Sequence, residues 1–239
     1  MQRLVLAILV SSLFLTSCGL FDKRVKGNGT VKSEARPAEK FSSVNVSGAI
    51  DVYIRQDSLA AIRVETDENL TEYVEITASG DVLNIRSRKG YSLKPTKGVK
   101  VYLAAPLFRK FSATGASNYF TESVVSSSER ISIKLTGSSD AKMELKAPAV
   151  DAKLTGAGSV TLKGETKDLQ LKGTGSSTLK CIEMMAENVD VHITGAGKAE
   201  VFASMKLDVK VTGAGNVKYK GNPSISQKVS GSGSVKKLE

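Results

Sequence analysis

Between Gly115 and Gly233 apolar and polar positions alternate around a recurring glycine. The phrases are Thr136-Gly137-Ser138-Ser139, Thr155-Gly156-Ala157-Gly158, Lys172-Gly173-Thr174-Gly175, Thr194-Gly195-Ala196-Gly197, Thr212-Gly213-Ala214-Gly215 and Ser230-Gly231-Ser232-Gly233, with a weaker copy, Thr114-Gly115-Ala116-Ser117, upstream. Counted on the first glycine of each, they stand 22, 19, 17, 22, 18 and 18 residues apart. Two residues before that glycine stand Leu135, Leu154, Leu171, Ile193, Val211 and Val229; six after it stand Met143, Leu162, Leu179, Val201, Tyr219 and Lys237. Apolar residues two apart with polar ones between them have the period of a half-buried strand, not a helix. The glycines suit backbone turns with positive φ.

A unit this short cannot bury its own apolar edge, but copies stacked along an axis turn each column into a ladder inside one core. The pattern predicts an all-β chain, a single-stranded parallel β-helix or solenoid with less regular N-terminal strands. An antiparallel sandwich is the alternative, since short strands with glycine turns also build one. Phe41 to Ala105 alternates in strand fashion without following the later period. The domain is therefore expected over residues 41–239, irregular over 41–112 and regular over 113–239.

The start of the chain follows a different pattern. Arg3 precedes an apolar run, Leu4 to Leu15, that is too short to span a bilayer. It ends in Leu15-Thr16-Ser17-Cys18, which resembles the bacterial lipobox. The resemblance implies a signal peptide over 1–17, lipid on Cys18, and, since Gly19 rather than Asp follows, an outer-membrane anchor on the periplasmic or cell-surface side. Residues 18–40 are expected to be a lipidated, flexible tether. Lipidation would leave Cys181 without a disulfide partner, as a packed thiol expected in the column of Leu145 and Ala203.

The segment Phe41-Ser42-Ser43-Val44-Asn45-Val46-Ser47-Gly48-Ala49-Ile50-Asp51-Val52-Tyr53-Ile54 is similar to the opening of the putative auto-transporter adhesin head GIN domain family. Val64 to Leu70, Gly80 to Ile85, Val99 to Leu103 and the Gly-Ala-Gly phrases follow in the same order. The resemblance spans about residues 41–235. It implies an exported, often lipidated protein with a β-helical fold, and its name suggests adhesion; it brings no catalytic residues.

Composition narrows the chemistry. The 239 residues carry a formal charge of +10, no Trp and 5% aromatics, so the core is expected to be aliphatic. Basic charge can favour acidic polymers or anionic membranes, or simply keep a solenoid soluble. On the outward parity, Asp151, Asp168, Asp190 and Asp208 fall in one column, and Lys153, Gln170, His192 and Lys210 in the next. These columns could form an ion-pair ladder, contact a polysaccharide or other cell-surface ligand, or cleave one, since carboxylates about 5 Å apart suit a retaining glycosidase. Equivalent aspartates offer no distinct acid and base, so a non-enzymatic scaffold, adhesin-like or glycan-binding, is expected, with a polysaccharide hydrolase or lyase as the alternative. No cofactor or metal is implied. His192 and Cys181 fall on opposite parities, and neither a phosphate loop nor a nucleic-acid module is recognisable.

Overall fold

A computed structural model describes residues 22–239. The expectations for the signal peptide and for Cys18 fall outside the described residues. From Ile131 onward the chain is almost continuous strand: Ile131–Gly137, Asp140–Gly156, Ser159–Gly175, Thr178–Gly195, Lys198–Gly213, Asn216–Lys220, Ser224–Ser230 and Ser234–Lys237. Each coil pairs in parallel with the next, building a β-solenoid of about six turns. Parallel pairing excludes the sandwich.

The turning glycines stack as Gly115, Gly137, Gly156, Gly175, Gly195 and Gly213. One coil therefore departs from the sequence alignment, because its turn is made by Gly175 and not Gly173. Gly175 has φ +95°, and a Cβ there would stand 2.7 Å from the carbonyl oxygen of Gly156 in the coil below. Only glycine meets both conditions without strain. The two-residue shift moves every column of that coil. Gly173, not Leu171, stands between Leu154 and Ile193, while Leu171 joins Ala152, Val191 and Val209. Parity is unchanged by a shift of two, so Leu171 is still fully buried. Cys181 likewise pairs with Val201 rather than standing in the Leu145 and Ala203 column.

The N-terminal region belongs to the same stack. Ser43–Gly48 pairs in parallel with Lys110–Gly115, and Asp51–Gln56 with Asn118–Thr121, so Gly48 lies in register with Gly115. Together these two strands form a first coil, and the residues between it and Lys110 hide its period. On its outer side lie Val82–Ser87 and Lys100–Ala105, still parallel. Beyond them the pairing turns antiparallel: Val74–Ser79 on Val82–Ser87, Ala61–Asp67 on Lys100–Ala105, and Val31–Arg36 on Ala61–Asp67. This change of direction caps the stack, covering an edge that would otherwise expose unpaired backbone groups.

Two expectations need correction at this end. The stretch read as a flexible tether holds two strands of the cap, Lys23–Lys26, parallel to Tyr91–Lys94, and Val31–Arg36. Asp67 secures it: its buried carboxylate accepts hydrogen bonds from the Gly29 amide at 2.7 Å and from the amide and hydroxyl of Thr96 at 2.8 and 2.7 Å. Nor is the core aliphatic throughout. Phe41, Phe108, Phe111 and Tyr119 are buried beneath the cap, with ring centroids 5.4 to 6.0 Å apart. The Tyr119 hydroxyl donates to the Ser112 carbonyl at 2.7 Å, satisfying the polar tip of a buried aromatic.

Candidate functional site

The strand run before each glycine turn presents its outward residues as three parallel columns. The outermost is hydroxyl-bearing: Thr136, Thr155, Thr174, Thr194 and Thr212. Next stand Lys134, Lys153, Lys172, His192 and Lys210, joined by Lys228. The third holds Ser132, Asp151, Gln170, Asp190 and Asp208. The glycine shift accounts for two differences from the expected columns. Gln170 stands among the aspartates, and Lys172 takes its place among the lysines. Asp168 moves one step further out, between Ala149 and Asn188, and accepts a hydrogen bond from the Asn188 amide at 2.8 Å.

Asp151, Asp168, Gln170, Asp190 and Asp208 line one shallow groove of about 470 Å³, with Arg130 and Lys206 at its margins. Those two cations hold two of the four aspartates: Arg130 meets Asp151 at 2.8 Å and Lys206 meets Asp208 at 2.7 Å. The hydrogen bond and charge of Asp208 hold the Lys206 ammonium above its usual range. Among the described residues no ion pair joins the aspartate column to the lysine column. Asp151 and Asp208 are instead paired with Arg130 and Lys206, which lie outside the lysine column. Among the described residues, Lys134, Lys153, Lys172, Lys210 and Lys228 make no ion pair with any carboxylate. Lys134, Lys153 and Lys172, and again Lys210 and Lys228, thus stand on neighbouring coils about 4.8 Å apart at the backbone, with His192 between the two runs.

The run after the glycine turn carries a different surface, for which the alternation offered no signal. Tyr102, Tyr53 and Phe120 stack on successive strands with centroids 4.9 and 5.2 Å apart, and the Arg63 guanidinium covers the outer face of Tyr102 at 3.7 Å. The faces of this stack are taken up by one another. Beyond Phe120 lies a groove of about 780 Å³ with Lys142, Glu144, Lys163, Glu183 and Glu200 on its walls. Lys163 and Glu144 pair at 2.9 Å, and that contact holds the Lys163 ammonium above its usual range. The glutamates are spread over successive coils. Among the described residues no three His, Cys, Asp or Glu side chains come together as a metal site.

Cys181 is fully buried, and desolvation pushes its thiol up to about 12, so it is not a nucleophile at neutral pH. His192 stands half-buried in the lysine column, on the opposite parity.

The sequence pattern of the putative auto-transporter adhesin, head GIN domain family matches residues 40–223. The chain belongs to that family. Solved structures agree on the fold. A putative adhesin from Bacteroides fragilis superposes with a TM-score of 0.85 at 19% identity, covering 90% of this chain and all of its own. A putative lipid binding protein from Parabacteroides distasonis gives 0.74 at 22% identity, covering 91% of this chain and all of its own. A putative adhesin from Parabacteroides merdae gives 0.69 at 24% identity, with 90% and 99% covered. No curated protein sequence matches the chain. Membership of this family supports an adhesin-like protein of the cell surface or envelope.

Proposed function

We propose that the protein is a non-enzymatic, lipid-anchored scaffold of the outer membrane that binds an acidic glycan along its lysine and threonine columns. The observation that carries the proposal is the lysine ladder, whose members make no ion pair among the described residues. A column kept only for solubility gains nothing from placing like charges one coil apart, whereas a polyanion with regularly spaced carboxylates or sulfates relieves their repulsion. The threonine hydroxyls alongside can donate to and accept from sugar hydroxyls. Each contact is weak, and their repetition along one strand of polymer adds them by avidity. The aspartates, two of them held by Arg130 and Lys206, border this track and repel a misplaced polyanion.

The test is retention on immobilised polygalacturonate and heparin, with dextran as the neutral comparison. Binding should be confined to the acidic polymers and fall steeply with salt, because exposed charges are screened within about 8 Å at physiological ionic strength. Replacing Lys153, Lys172 and Lys210 by Glu should abolish it. Equal binding to dextran, or retention by the triple variant, refutes the proposal. New reducing ends that vanish in Asp190→Asn would instead establish a glycoside-cleaving enzyme. Lipidation is tested separately: incorporation of a labelled fatty-acid analogue should disappear in Cys18→Ala.

A further inference from the structure

The strand pair Lys23–Lys26 and Tyr91–Lys94 stands apart from the main sheet as a two-stranded ribbon. Its two faces differ sharply. Leu93 packs against the core, and Val25, directly opposite it in register, is half-buried on the same face. The other face carries Arg24, Lys26, Ser92 and Lys94, with all three cations exposed. Lys26 and Lys94 lie directly opposite each other, an arrangement that costs stability. Among the described residues none of these three makes an ion pair. The nearby Glu72 and Glu75 are held by Arg88, and Glu68 by Lys32. Asp22 is the one carboxylate adjoining the ribbon in sequence, and residues 1–21 contain neither Asp nor Glu.

We infer that this basic ribbon is a docking surface for the headgroups of an anionic bilayer, which sets the solenoid cap-down on the membrane. The inference rests on lipidation at Cys18 only for its geometry. Four residues lie between Cys18 and Lys23, five Cα steps and at most about 18 Å of extended chain, so a lipid there would hold the ribbon within reach of the headgroups. Beside a lipid anchor, a basic patch adds attraction to anionic headgroups and fixes which face of the domain meets them. The ribbon suits this role because its outward face is uniformly cationic while its inward face is fixed to the core.

Every strand pairing among the described residues lies within 23–237, so a chain begun at Gly19 keeps all of these pairings and carries no lipid. Its co-sedimentation with phosphatidylcholine vesicles, with and without phosphatidylglycerol, tests the inference. Binding should require phosphatidylglycerol and be released by salt. Each cation at an anionic surface contributes about fivefold in partitioning, so Arg24→Glu, Lys26→Glu and Lys94→Glu together should weaken binding by at least about 100-fold. Lys153→Glu with Lys172→Glu, which disables the glycan track, should leave vesicle binding intact, so the two proposals fail separately. The inference is overturned by equal binding to neutral vesicles, by full binding of the ribbon variant, or by loss in the track variant. It is also overturned if soluble heparin binds the ribbon and phosphatidylglycerol vesicles do not, which would make it a polysaccharide site.

Discussion

A single methyl group on Gly175 would meet the Gly156 carbonyl at 2.7 Å while its backbone stays at φ +95°. Replacing Gly175 by Ala is expected to destabilise the protein by at least about 1–3 kcal/mol, read as a lower urea midpoint, since the strained conformation alone costs that much. At Asp67 the relevant variable is pH. Hydrogen bonds from the Thr96 amide and hydroxyl and the Gly29 amide hold this carboxyl below its usual range, against the opposing effect of burial. A depressed folded-state pKa contributes stability above the unfolded value of about 3.9, and the contribution is lost as pH falls through the folded value. The urea midpoint should therefore drop with acidification below about pH 4, and Asp67→Asn should flatten that limb. Cys181 gives a simpler check. Its buried thiol, raised to about 12, should resist iodoacetamide at pH 8 in the native protein and react fully in urea. Alkylation of the native protein would show that the core opens locally around Thr178–Gly195.

For the coil as an element, the decisive comparison is between a column position and its neighbour. Leu171 is fully buried between Ala152 and Val191, so Leu171→Ala should cost about 2–5 kcal/mol. Exposed Lys153 should cost under about 0.5 kcal/mol as Ala. Thermal and urea unfolding measure both. Coil and parity were legible in the sequence because strand alternation survives any even shift, so inward and outward residues could be sorted without knowing which glycine turns. The column itself was not secured that way. Lys172-Gly173-Thr174-Gly175 offers two glycines of matching parity, and alternation cannot choose between them. The available signal was chemical: Thr174-Gly175-Ser176-Ser177 repeats Thr136-Gly137-Ser138-Ser139 letter for letter. The aromatic stack of Tyr102, Tyr53 and Phe120 was hidden for another reason. Its members come from strands 49 and 67 residues apart in sequence that the cap brings side by side. The basic ribbon was hidden similarly, since polar composition around Lys23 looks like a spacer until Leu93 supplies the surface it packs on.

At the scale of the whole molecule, two tracts of cations without ion pairs among the described residues stand apart from each other, the lysine column along the coils and the ribbon at the cap. A +10 chain that used its cations only for solubility would not need either alignment. The cap has a further consequence, for the order in which the chain assembles. All of its strands, and the first coil beneath it, lie within residues 23–121, so this end can be complete before any regular coil has been synthesised. Each later coil then meets a finished edge about twenty residues earlier in sequence and needs only local closure to dock on it. Parallel pairing, ordinarily slow because its partners are distant, becomes templated growth in one direction. Kinetics should carry the imprint: Leu103→Ala, in the cap, should mainly slow refolding, whereas Val211→Ala, late in the stack, should mainly hasten unfolding. Stopped-flow measurements across a urea series would separate the two limbs. The reverse pattern would mean that growth starts among the coils and that the cap is added last, closing the stack instead of seeding it.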